Sequence, residues 1–412
     1  MKIPMLELDC ASTMFVLGRN EERNYKIQLS AHLRSAIDPI PLQAALVSTV
    51  KQYPYFFVRF VSKSGRLFAD PVKDIRKITM AQPGSWLQAY REAAACEAQI
   101  AYTRNTIILE YSHAVSDGKG GLEVLLHLIT EYLSQTGCGE KILKLAPPVP
   151  SIREQTANGY QIHAKGFKSG KKRGIAYKMR GKPLGTAIFP KTTSYLLSAS
   201  EIRAFAKEYQ VSVTEFLSAL LCIAIWNIQK DSGSGNWPTR IRLSIPVDLR
   251  PRFSCRTLRN FSLNVYPEID PAKEDMELPA VCTKFRRYME GATAVKQLAG
   301  RCTQIEKIGN AGVLKVLPVG LKRKVIQAAL DLPFTGSTMT FSNMGTVGLP
   351  EELQLYVDSM KLIFSAKPEA PYSCSAITVG DSLRLTLLRT IGEPLLETQL
   401  EKLLDDLNIN YE

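Results

Sequence analysis

The run Thr106 to Gly121 (TIILEYSHAVSDGKGG) constrains this chain most, because it sets a histidine at the junction of an apolar strand and a turn that opens a helix. Residues 106–112 are apolar and β-prone. Leu122 to Gly137 reads as a helix with Leu122, Leu125, Leu126, Ile129 and Leu133 on one face. His113 therefore sits where a rigid strand gives way to a loop. That support can hold an imidazole in place while leaving one ring nitrogen free, and an ordinary pKa of about 6.5 keeps the ring mostly neutral near pH 7. Such a histidine can accept a proton. The plainer alternative is an ordinary Asp-Gly turn, Asp117-Gly118, after a strand that happens to end in histidine.

The segment Ser112-His113-Ala114-Val115-Ser116-Asp117-Gly118 resembles the HHxxxDG motif of the chloramphenicol acetyltransferase-like superfamily, with Ser112 in place of the first histidine. That superfamily includes peptide condensation domains, BAHD acyltransferases, polyketide-associated acyltransferases and alcohol acetyltransferases. Further segments extend the resemblance over nearly the whole chain. Tyr25 to Leu33 reads as a strand, Asp38-Pro39 opens a helix ending near Tyr53-Pro54, and Tyr55 to Val61 reads as the next strand. Later, Ser200 is expected to cap Glu201 to Tyr209, and Thr214 to cap the apolar helix Glu215 to Ile228. Ser244 to Arg252 (SIPVDLRPR) is similar to the strand and arginine turn of the BAHD and polyketide-associated members, Asn260 follows, and Phe341 to Gly345 (FSNMG) resembles their late SNxG strand end.

The fold class this resemblance implies is α/β: two similar lobes, each a mixed β-sheet covered by helices, with an active-site channel at their interface. The expected boundaries are 1–145 for the N-terminal lobe, 146–186 for a crossover and basic linker, and 187–412 for the C-terminal lobe. The implied chemistry is transfer of an acyl group, acetyl being favoured, from an acyl-CoA thioester to a small-molecule hydroxyl or amine. His113 would be the general base and no covalent intermediate would form. Ser342, Asn343 or a backbone N–H near Ser116 to Gly118 would serve the oxyanion, with Ser112 beside the channel. Asp117 would support the loop rather than touch substrate, Arg250 would be its partner with Arg252 in reserve, and Gly118 suits a tight or positive-φ position. Acyl-CoA enters as cosubstrate, and no tightly bound cofactor is expected.

Loss of the first motif histidine, and the lack of an evident carrier domain, favour an acyl-CoA enzyme over a condensation enzyme that takes its donor from an acyl carrier protein. A non-catalytic condensation-like binding module is the reading from another class. It would keep the basic surface without needing His113.

Charge bears on the partner. The formal net charge is +13, and Lys165 to Lys182 carries eight basic residues and no acidic one. This Gly-containing run is either a solvated linker or an attractor for an anionic donor through Lys171, Lys172 and Arg173. Nucleic acid is disfavoured, since only Phe167 and Tyr177 interleave the charges and no binding motif accompanies them. The eight cysteines form no CxxC pair and no histidine stands at metal-ligand spacing, so no metal is expected. There is no P-loop, and no stretch approaches the roughly 20 apolar residues of a membrane span. The N-terminal MKIPMLELDC carries acidic residues where a signal peptide needs its apolar region, giving the expectation of a cytoplasmic protein.

Overall fold

In the computed structural model the chain is described except at residues 1–2, 21–22, 73–76, 83–94, 139–141, 143, 146–147, 163–173, 186–188, 234–238, 310–316, 332–335 and 367–369. Two mixed sheets organise it. The first has five strands in the order Val357–Phe364, Lys26–Leu33, Thr106–Ser112, Ala98–Tyr102 and Thr79–Met80, the last pair parallel and the others antiparallel. Its central strand Thr106–Ser112 is buried on both sides. Period-two alternation sends Ile107, Leu109 and Tyr111 into an apolar core and Glu110 and Ser112 to the opposite face. The helix Gly118–Leu133 lies in that apolar core, packed against the helix Pro39–Gln52.

The second sheet runs Ser262–Val265, Ile241–Asp248, Met339–Thr346, Tyr372–Val379, Ser382–Arg389 and Lys191–Ser198, with Glu268–Ile269 added beside Ile241–Asp248. Met339–Thr346 is parallel to both of its neighbours. The helix Val213–Asp231 is apolar on most sides because it is enclosed by Leu278–Ala292, Leu395–Asp406 and the sheet. Among the described residues no single helix is long and apolar enough to cross a membrane. The architecture is the two-lobed α/β fold expected from the sequence.

Several local boundaries differ from expectation. The helix after His113 begins at Gly118, with Asp117 as its cap, earlier than the apolar periodicity begins at Leu122. Ser198 and Ser212, not Ser200 and Thr214, cap the two helices of the second lobe, because each places its hydroxyl on the backbone N–H three residues later, at Glu201 and Glu215. The strand expected at Tyr55 to Val61 spans Val58–Lys63 instead, paired with Arg66–Pro71 in a small separate sheet.

One strand ties the lobes together. Val357–Phe364 follows the first five strands of the second lobe's sheet in sequence, yet its ladder is with Lys26–Leu33. It is pinned to the second sheet by side chains, Ser375 donating to the Leu362 carbonyl at 2.5 Å and Ser373 to that of Phe364 at 3.1 Å.

Candidate active site

The loop His113–Asp117 is held from both lobes. Its first residue donates its backbone N–H to the Tyr25 carbonyl at 2.7 Å, and the Asn260 amide donates to the His113 carbonyl. Ser116 donates its hydroxyl to the Leu258 carbonyl at 2.5 Å. Just beyond, Lys119 reaches the Met344 carbonyl at 2.6 Å, although burial pushes its ammonium down from the usual lysine range. The loop is therefore part of the seam between the lobes.

Asp117 is 5% exposed and fully engaged. One carboxylate oxygen accepts from the Gly120 N–H at 3.1 Å, capping the helix, and the other accepts from Phe261 N–H at 2.8 Å and Arg250 Nη1 at 3.0 Å. Burial alone would raise its pKa, but the Arg250 guanidinium and these donors outweigh that and hold it below the usual aspartate value. Arg250 also donates to Asp248 and to the carbonyls of Thr257 and Arg259, at 2.8 to 2.9 Å. The carboxylates raise its pKa further above the arginine range, against the opposing pull of burial. Arg252 turns away, toward the Thr293 carbonyl at 3.3 Å. Gly118 has no positive φ. A side chain there would meet Met344 Sδ at 2.9 Å, the end of a flexible side chain that can shift, so the position is close-packed rather than left-handed.

His113 contrasts with this. Its ring stacks on Phe15 with centroids 4.4 Å apart and planes 12° apart, while the edge of Tyr25 closes on Phe15 at 5.2 Å. Tyr25 itself has φ 47°, a strained setting for a bulky residue, and this is the residue whose carbonyl fixes His113. Nδ1 is buried without a hydrogen-bond partner, whereas Nε2 stays accessible and takes no protein hydrogen bond. Burial lowers the imidazole pKa from its usual value; the charge of Asp117 and acceptors on His113, Asn260 and Ser116 oppose the shift without reversing it. The ring is neutral at pH 7.

Ser112 is buried, its hydroxyl accepting from the Ala114 N–H at 3.2 Å. Met344 packs against Gly118, which places the end of Met339–Thr346 at the same seam. Ser342, two residues earlier on that strand, is half-buried with no hydrogen bond to its hydroxyl. Asn343 is committed elsewhere, donating to Thr214 Oγ1 at 3.1 Å and accepting from Gly345 N–H at 2.8 Å. Lys171, Lys172 and Arg173 lie outside the described residues. His127 is buried on the helix behind the loop, edge-on to Tyr53, and His32 lies on the exposed side of its strand near Thr106. Phe15, Tyr25 and Lys119 belong to the site's surroundings but carry no sequence signal for it. Among the described residues no group of three His, Cys, Asp or Glu side chains is placed to hold a metal ion.

No family model matches the sequence, and no curated protein matches it. The structure does match solved ones over nearly its whole length. It is similar to polyketide synthase associated protein 5 from Mycobacterium tuberculosis, at 15% identity and TM-score 0.61, covering 98% of each chain. It is similar to the TRI3 trichothecene 15-O-acetyltransferase from Fusarium sporotrichioides, at 11% identity and TM-score 0.61, covering 97% of this chain and 94% of that one. A third match is the starter condensation domain of rhizomide synthetase RzmA solved with C8-CoA, at 13% identity and TM-score 0.63, covering 97% and 93%. The chain thus has the fold of condensation domains and chloramphenicol acetyltransferase-like acyltransferases.

Proposed function

We propose that this protein is an acyltransferase that moves an acyl group, acetyl being favoured, from a coenzyme A thioester directly to a small-molecule hydroxyl or amine. The observation that carries the reading is His113. It is a neutral imidazole fixed by a strand end and a stacked ring, with Nε2 open and Nδ1 enclosed. For Nε2 to accept a proton, Nδ1 must bear the hydrogen, and the carbonyls of His113 and Ser116 nearby favour that tautomer.

In the proposed step the acceptor's O–H or N–H proton passes to Nε2 as its lone pair attacks the thioester carbonyl. The tetrahedral oxyanion meets the free hydroxyl of Ser342. On collapse the C–S bond breaks, and the proton held on Nε2 goes to the departing thiolate, releasing the free thiol and the ester or amide. A positioned base of this kind contributes about 10²–10⁴-fold in rate. No residue need be acylated, and burial pushes the Cys10 thiol at the seam up to about 11, which argues against it as a nucleophile.

Two of the similar structures bear on the donor. One is an acetyltransferase and one was solved with C8-CoA. Others are condensation domains, so a carrier-bound thioester remains the competing donor. The discriminating experiment incubates the protein with a panel of acyl-CoAs and nucleophile mixtures, following thiol release and identifying products by mass spectrometry. Thiol release with a new ester or amide is expected. Transfer only from a carrier-bound thioester would move the assignment to condensation. No transfer from either donor would leave a binding module.

A further inference from the structure

We infer that Lys361 and Arg384, with the hydroxyls around them, form an anion site between the lobes that takes a phosphate group. Lys361 lies on Val357–Phe364 and Arg384 on Ser382–Arg389, where the polar face of the first sheet meets the second sheet. Lys361 Nζ lies 3.4 Å from Thr192 Oγ1, and Arg384 Nη2 donates to Ser359 Oγ at 3.0 Å. Neither cation makes an ion pair among the described residues. Asp358 is the acid whose charge reaches Arg384, but it is paired with Arg34 at 3.2 Å on an exposed surface. Ser194 and Thr386, 3.1 Å apart, line the same sheet face.

Other interior cations have carboxylate partners. Arg19 is paired with Glu97, Lys26 with Glu110, Arg250 with Asp117 and Arg389 with Glu397, each at 2.8 to 3.1 Å. Lys361 and Arg384 are half-buried, and each has its pKa lowered first by burial; the Arg384 charge also repels Lys361. Two half-buried cations that repel one another raise the energy of the fold unless a counter-charge arrives, and hydroxyls beside two cations suit a tetrahedral oxyanion. Phosphate is the group whose charge and donor demand match both.

The position suggests a source. Lys361 is opposite Ser30, Ser30 is opposite Ile108, and Ser112 lies four residues on along that strand, on the same sheet face. At about 3.3 Å per residue and about 4.8 Å per strand, Ser112 and Lys361 are roughly 16 Å apart. An extended pantetheine arm can bridge such a span between a thioester at His113 and a phosphate at Lys361. Assigning the phosphate to a donor rests on the acyl-transfer reading; the anion site itself does not.

The test is a calorimetric titration of wild type and a Lys361→Met/Arg384→Met double variant with inorganic pyrophosphate, coenzyme A and pantetheine. The two methionines keep the buried stems, so the ligand-free variant should melt at or above the wild-type temperature, opposite to the loss of a structural ion pair. Pyrophosphate and coenzyme A affinity should each fall about tenfold or more, while binding of phosphate-free pantetheine is unchanged. Single Lys361→Gln and Arg384→Gln variants should give intermediate losses. Loss of pyrophosphate binding alone, with coenzyme A binding unchanged or undetected in wild type, supports the anion site with free phosphate as its source and counts against the donor assignment. Unchanged pyrophosphate and coenzyme A affinity in the variants, or no binding of either by wild type, overturns the site.

Discussion

The two ends of the loop His113–Asp117 are equally close to the seam between the lobes and chemically opposite. At Asp117 the carboxylate oxygens have donors from Gly120, Phe261 and Arg250, and the helix starts on that carboxylate. At His113 one nitrogen is enclosed without a partner and the other is open. A fold that satisfies a buried carboxylate this completely has the means to satisfy an imidazole four residues earlier. Buried His127 also lacks ring hydrogen bonds, so what marks His113 as the reacting residue is an open Nε2 together with its place at the strand end and the lobe seam.

The widest separation between the two ends comes from truncating each. His113→Ala should reduce turnover by about 10²–10⁴-fold, since no other side chain at the loop can take the nucleophile's proton. Its stability should fall only by about 0.5–1.5 kcal/mol, the worth of the lost stack on Phe15. Wild-type rates in the purified, folded variant would end its assignment as the base. Asp117→Ala should do the reverse in kind, lowering stability by about 1.5–3 kcal/mol because Arg250 keeps only Asp248 as a carboxylate partner, the Phe261 N–H loses its acceptor and the helix loses its cap, with activity falling as the loop loosens. Unaltered melting and full activity would remove Asp117 from its supporting role. The carboxylate has its pKa lowered in the fold, so its contribution is present above the unfolded-state value and is lost as pH drops through the folded one. Asp117→Asn should therefore unfold at a higher pH than wild type in an acid titration.

What could be read from the sequence divides along a physical line. The strand Thr106–Ser112, the turn and the following helix are local, and hydrophobic period and turn chemistry identify them. The Asp117 and Arg250 contact crosses the lobes, yet both residues sit in motifs whose arrangement a family resemblance carries. Phe15 and Tyr25 sit in no motif, and a stacking contact across so long a separation leaves no mark on local periodicity. Helix starts escaped for a related reason. The apolar pattern begins only where the helix meets the core, whereas the cap acts a turn earlier, as at Asp117, Ser198 and Ser212. Alternation along Val357–Phe364 shows that Ser359 and Lys361 share a face. It says nothing about which sheet that face meets, so a strand joined to the first lobe and an unpaired cation opposite Arg384 were both invisible.

The smallest expected effect isolates what the Phe15 ring does for His113. A stacked aromatic excludes water from one face of the imidazole, and burial is the leading cause of its lowered pKa. The base acts when neutral, so wild-type activity should rise through an acid limb with its midpoint below 6.5, the ordinary histidine value. Phe15→Leu keeps apolar volume but removes the flat partner, worth about 0.5–1.5 kcal/mol. Turnover should fall by roughly 2–10-fold, the rate equivalent of that energy. The same substitution admits water to the ring, so the acid limb should move up toward 6.5. A lower turnover with an unmoved limb would mean that Phe15 orients the ring without desolvating it. If neither changes, the stack is packing alone, and the enclosure of His113 must come from Asn260 and the loop itself.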